Sequence, residues 1–295
     1  MRNNKGFAIS GAVYPILILT IFLIMQLLST LQSRKIILDN IKNDLIDYVN
    51  SGNIANRVAA EVIKDKNTNG NAEGLITDDS GNIRYSGSST KVKNYVTFNN
   101  ETWRIIGIFN GKLKIVRDES IGNMSWDTKN SDGINNWPTS DIAVYLNGDY
   151  FNDLRTLSRK MISEEKYYLG GLTSFSSLER KTIYDTERGA KVYTGCVVGT
   201  SGETSETCPR ATTWTGNIAL PYLSDLVYAG DSTYCKISSY NSTNCINNNW
   251  MYKFSQNMLS IYSENAYGVW SVFCDGTLAR GNKPNRKIGT RPTLI

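Results

Sequence analysis

Residues 7–31 run without a charged side chain, and most of them are apolar. About 25 residues at ~1.5 Å rise make a rod of about 37 Å, enough to cross a ~30 Å hydrocarbon core with some tilt. A buried helix of a soluble domain is usually shorter and keeps a polar stripe. The pattern therefore predicts a transmembrane helix over 7–31, preceded by a leader over 1–6. Apolar residues then continue at helical spacing, at Ile36, Ile37, Ile41, Leu45, Ile46 and Val49, with Lys35, Asp39, Lys42 and Asp44 on other faces. This predicts an amphipathic continuation, broken at Ser51-Gly52-Asn53 and followed by a second helix over 54–64. Together they form a helical stalk over 32–64, with a polar, glycine-bearing linker over 65–79.

The texture changes near residue 80. Short runs of aromatic and β-branched residues alternate with Asn/Gly/Asp/Ser clusters. Strands are predicted over 95–98, 103–109 and 113–116, the last two joined as a hairpin by Asn110-Gly111. Helices are predicted over 141–146 and 149–157, the first capped by Thr139 or Ser140. Further strands are expected over 167–169, 218–221, 226–228, 269–273 and 288–295. The fold class is α+β: a long N-terminal helix and a single head over 80–295, large enough to bury its own core.

Charge and cysteine usage add orientation. Arg2 and Lys5 precede the apolar run, which favours a cytoplasmic N-terminus, although Arg34 and Lys35 flank its other end. All five cysteines lie in the head, as expected for an oxidising exterior. Cys196 with Cys208 and Cys235 with Cys245 each enclose a short polar loop and are the expected pairs; other pairings stay open. Cys274 is then unpaired, read as a small buried hydrophobe, with a nucleophile or copper ligand as the sharper alternative. The expected location is a single-pass cell-membrane protein with its head outside.

Lys5-Gly6-Phe7, a basic leader ending in glycine before a phenylalanine that opens the apolar helix, resembles the processing site of type IV pilin and pseudopilin precursors. The resemblance covers about residues 2–50 and implies cleavage after Gly6 by a prepilin peptidase, with Phe7 as the mature start. Where that family places a glutamate this chain has Gly11, which fits a minor pilin-like subunit or an unassembled anchor. A plain signal anchor is the alternative; Ser29, Thr30 and Ser33 offer only a poor site for signal-peptide cleavage. In the head, Trp103-Arg104-Ile105-Ile106-Gly107, Arg117-Asp118-Glu119-Ser120-Ile121-Gly122, Asn136-Trp137, Trp214-Thr215-Gly216 and Gly289-Thr290-Arg291-Pro292 occur in order. This series, over about residues 83–295, is similar to an uncharacterised Gram-positive surface domain that resembles the C-type-lectin-like fold of formylglycine-generating enzymes. The resemblance implies a fold and carries no activity.

Candidate chemistry is bounded by the absence of histidine, which excludes Ser-His-Asp and Cys-His arrangements and histidine-ligated zinc. Asp65, Asn67, Asn69 and Gly70 match the first half of an EF-hand calcium loop, but Ile76 stands where the bidentate acid belongs. No cofactor is expected apart from this partial match to a calcium site. Asp118 with Glu119 and Glu164 with Glu165 are the carboxylate pairs for a glycan-modifying enzyme, yet neighbours on a strand point to opposite faces. All six tryptophans lie in the head; Trp103 opens an alternating strand and reads as core. Trp126, Trp137, Trp214, Trp250 and Trp270 adjoin polar loops and are the candidate ligand-binding residues, for a surface glycan or protein partner. Arg280, Lys283, Arg286, Lys287 and Arg291 form a late basic patch, without a recognisable nucleic-acid module. The leading expectation is a non-enzymatic surface protein, an adhesin or minor pilin-like subunit. The alternatives are a carboxylate-dependent wall-modifying enzyme and a structural component of a pseudopilus or secretion complex. N-terminal sequencing of the membrane-extracted protein is expected to begin at Phe7; an intact Met1 rejects prepilin processing.

Overall fold

The computed structural model describes residues 5–50, 53–70, 74–129, 133–189 and 211–295. It separates into two compact units, Met1–Ser51 and Gly52–Ile295. The first is one helix, α1 (Lys5–Asn50), continuous through Pro15. Within it Ile18–Asn43 is long and apolar enough to span a membrane, and its large side chains, Ile18 to Ile41, are exposed.

The second unit is mixed helix and sheet. Helix α2 (Asn53–Asn69) belongs to it: Ala59 and Val62 are buried, and Val58 and Ile63 pack against the same core. The head thus takes in the second stalk helix and strand β1 (Leu75–Thr77), both placed outside it by the polar texture of 65–74. Gly70, at φ 62°, stands just beyond the last residue of α2, the usual place for a left-handed cap.

The main sheet is antiparallel. Its order is β1, β2 (Ile83–Tyr85), β4 (Glu101–Phe109), β5 (Lys112–Arg117) and β13 (Thr293–Leu294), with β3 (Tyr95–Phe98) also paired to β4. The predicted turns hold: Asn99, Asn100, Asn110 and Gly111 all have positive φ, the pattern that folds tight hairpins. Seven successive residues of β4 are buried, as expected of a strand covered on both faces. Elsewhere lie a three-stranded sheet of β9 (Gln256–Ile261), β10 (Val269–Val272) and β11 (Leu278–Asn282), and two pairs: β6 (Asn123–Ser125) with β12 (Lys287–Gly289), and β7 (Glu165–Tyr168) with β8 (Thr213–Gly216).

Ser140 caps α3 (Asp141–Asn147), accepting from the Ala143 N–H. The helix expected over 149–157 is two, α4 (Asp149–Asp153) and α5 (Thr156–Met161). Helix α6 (Arg180–Glu187) packs on α7 (Leu223–Ala229), and α8 (Thr243–Asn247) comes next in the chain. Residues 226–228, expected as a strand, lie in α7, where all seven residues are buried. A helix covered all round has no polar stripe, so its period is invisible in the sequence. Residues 218–221 form only a bridge, Ala219 to Thr293.

One row crosses the main sheet at its centre. Arg84 on β2, Gly107 on β4 and Lys114 on β5 are direct cross-strand neighbours. A Cβ on Gly107 would lie 2.2 Å from the Ile83 carbonyl oxygen, so only glycine lets β2 approach β4 this closely. Gly107→Ala is expected to destabilise the protein by about 1–3 kcal/mol, read as a lower denaturant midpoint; an unchanged midpoint refutes the close-approach argument.

Candidate binding site

From that row a chain of buried charges crosses the head. The β1–β2 turn presents Asp78, whose Oδ1 accepts from the Ser80 and Asn82 N–H groups at 2.9 Å. Its Oδ2 accepts from Arg84 Nε at 2.5 Å. Arg84 Nη1 donates to Asp225 Oδ1 at 3.1 Å, and Lys114 Nζ donates to Asp225 Oδ2 at 2.5 Å. Asp225 is in the first turn of α7, where its carboxylate also accepts from Tyr222 N–H at 2.9 Å as half of a capping box. Aromatic faces wrap the cations: the Arg84 guanidinium lies 4.5 Å from both the Phe109 and Tyr228 ring centres, and Lys114 Nζ 4.6 Å from that of Tyr222.

Burial and pairing compete along the chain. Burial pushes the Asp78 and Asp225 carboxyls up, but the cations beside them outweigh it and hold both below their ordinary range. Burial lowers Lys114 to about 8 despite the carboxylate against it. Glu187 at the end of α6 is fully buried and pushed up; its Oε1 accepts from Ser224 N–H and Ser260 Oγ, and Oε2 has no hydrogen-bond partner.

The two ends of the chain open onto two cavities. Asp78 borders a basin of about 660 Å³, walled by Asp79, Glu179, Arg180, Tyr228 and Tyr240. This volume lies in the range of small-molecule sites. Asp79 Oδ2 accepts from Tyr228 OH at 3.0 Å, and Arg180 Nη2 donates to the Gly230 and Cys235 carbonyls at 3.0 and 2.7 Å. Lys114 borders a smaller cleft of about 220 Å³ between Lys166, Tyr168, Tyr184 and Arg188.

The residues singled out from sequence mostly stand elsewhere. Trp126, Trp137, Trp250 and Trp270 are core, each 2 % exposed or less. The indole N–H groups of Trp126, Trp250 and Trp270 donate to the carbonyls of Met258, Tyr85 and Leu172. Trp214 is half-buried, meeting the Trp137 ring edge-on and the Tyr167 ring at a tilt. Asp65, Asn67 and Asn69 lie within α2, so the backbone there is helical and not the loop that the calcium motif requires. Cys235 is bonded to Cys245, whereas Cys274 is exposed, its Sγ 3.7 Å from Ser255 Oγ, and not the buried hydrophobe expected. Cys196 and Cys208 lie outside the described residues. The backbone of Gly6 and Phe7 is helical.

Asp118 and Glu119 do not diverge: both reach Lys253 Nζ, at 2.9 and 2.7 Å. Glu165 pairs with Lys112, and its neighbour Glu164 is exposed. Arg291 is fully buried and donates to the Arg117 carbonyl, so it leaves the basic patch, in which Lys283, Arg286 and Lys287 are exposed.

Sequence reading passed over Asp78, Arg84, Lys114, Arg180 and Asp225. The available signal was a lone charge within an apolar run, Ile83-Arg84-Tyr85 and Leu113-Lys114-Ile115. Alternation puts Lys114 on the face opposite Leu113 and Ile115, where a charge is ordinarily solvated, but Lys114, Ile115 and Val116 are all buried. No family model, curated protein or solved structure matches this chain.

Asp78 sets the sign of the pH effect. Its folded pKa is depressed below 3.8, so its contribution is complete above pH 3.8 and is lost as pH falls through the lower folded value. Unfolding free energy is expected to fall more steeply between about pH 5 and about pH 2 in the natural chain than in Asp78→Asn; equal slopes contradict the assignment.

Proposed function

We propose that this chain is a membrane-anchored surface protein, an adhesin or minor pilin-like subunit, whose extracellular, C-type-lectin-like head binds a hydroxyl-rich surface ligand in the basin beside Asp78. The anchor is supported by a helix apolar enough to span a bilayer, and the outside location by the Cys235–Cys245 disulfide, a bond of oxidising compartments.

The observation that carries the ligand reading is the basin itself. Carboxylates (Asp79, Glu179), cations (Lys66, Arg180, Lys236), hydroxyl groups (Thr77, Ser232) and the edges of Tyr228 and Tyr240 share one wall system. Acceptors and donors of both signs around an open, polar cavity suit a ligand that both donates and accepts hydrogen bonds at many points, as a saccharide does. The catalytic reading has less support, because Asp118, Glu119 and Glu165 are each engaged by a lysine.

The full-length protein in detergent micelles is expected to bind a subset of an array of surface glycans. Asp79→Ala, which removes an acceptor from the wall, is expected to weaken that binding about tenfold, equivalent to about 1.4 kcal/mol. A silent array, or binding untouched by the substitution, overturns the basin as the ligand site; turnover of an array sugar favours an enzyme.

A further inference from the structure

Lys114 and Asp225 meet as a nucleophile meets an electrophile. The amine and the carboxylate are 1 % and 0 % exposed, with Nζ 2.5 Å from Oδ2. Phe109 and Tyr222 rings flank the amine at 5.1 and 4.6 Å, on the inner side of the cleft that Lys114 borders. The carboxyl carbon is polarised from both sides, by Arg84 Nη1 on Oδ1 and by Tyr222 N–H on Oδ2. Burial, reinforced by Arg188 and Arg84, makes the Lys114 ammonium give up its proton more readily than a surface lysine does. Two groups fixed in this way react as if at about 10⁵–10⁸ M. An amide would also remove two charges whose desolvation is costly.

We propose that Lys114 and Asp225 condense to an intramolecular amide that covalently joins β5 to α7. The step balances as ammonium plus carboxylate giving amide plus one water. A proton passes from the ammonium to Oδ2, to which Nζ already donates, and the neutral amine attacks Cγ. The Nζ–Cγ bond forms and the Cγ–Oδ2 bond breaks; a second proton from nitrogen leaves with Oδ2 as water, into the cleft that Lys114 borders. Oδ1 becomes the amide oxygen and keeps its hydrogen bond from Arg84 Nη1, while Arg84 Nε retains Asp78. One cation and one anion disappear together, so the remaining Arg84–Asp78 pair stays balanced. No oxidant, cofactor or second protein enters.

The test is mass spectrometry of the full chain, extracted in detergent and reduced. Its mass is expected to be one water lower than that of the same mature sequence, with Lys114→Arg and Asp225→Ala both restoring the unmodified mass. Tryptic mapping of the natural chain decides the matter even where a variant fails to fold. The proposal requires a branched peptide joining the Lys114 and Asp225 segments, one water lighter than their sum. A full-length mass without that deficit, or linear peptides ending at Lys114 as the main products, overturns it and leaves an ordinary ion pair.

Discussion

The head is built around one carboxylate shared by two cations. Asp225 reaches across the row Arg84–Gly107–Lys114 and is held from both neighbouring strands. Taking such groups out of water costs several kcal/mol per ion, and the cost is offset only when every member has its partner. The β1–β2 turn brings Asp78, the β4–β5 hairpin brings Lys114, and α7 brings Asp225. None of these elements can dock alone without stranding a charge, so they are coupled more tightly than apolar packing requires. Gly107 makes the arrangement possible by leaving its position without a side chain.

The same chain shapes the surface. Asp78 at one end forms part of the basin wall, and Lys114 at the other borders the smaller cleft. Side chains held by several ion pairs and ring contacts keep their rotamers, so the polar groups of the basin are presented by a rigid backing. Arg180 extends this stiffness by tying α6 to the Gly230 and Cys235 carbonyls, next to the disulfide. A wall prepared in this way would lose little conformational freedom on taking up a ligand.

What the sequence made legible was local. The β3–β5 strands declare themselves through β-branched runs and the Asn-Asn and Asn-Gly turns, and Ser140 through its place before Asp141. The apolar length of α1 needed no tertiary information. Long-range features were illegible for specific reasons. Helix α7 is enclosed on all sides and shows no period. The tryptophans next to polar loops look exposed, but those loops fold inward, and three indoles find their partners in backbone carbonyls distant in the chain. Asp65, Asn67 and Asn69 match a loop motif, yet the helix that begins at Asn53 continues through them. The charge chain is the extreme case, since each member is an ordinary charged residue until the strands align.

The last pairing of the central sheet has a temporal side. Thr293 sits opposite Val116 on β5 and exchanges two backbone hydrogen bonds with Ala219, joining segments from distant parts of the chain. Until that short segment arrives, the free flank of β5 is an open template for any passing extended peptide. A chain made from its amino end would carry this vulnerability until residues 293–294 appear, and its sealing would be among the slowest events. The flank of β5 opposite Thr293 and Leu294 is therefore where misassembly of the sheet would begin.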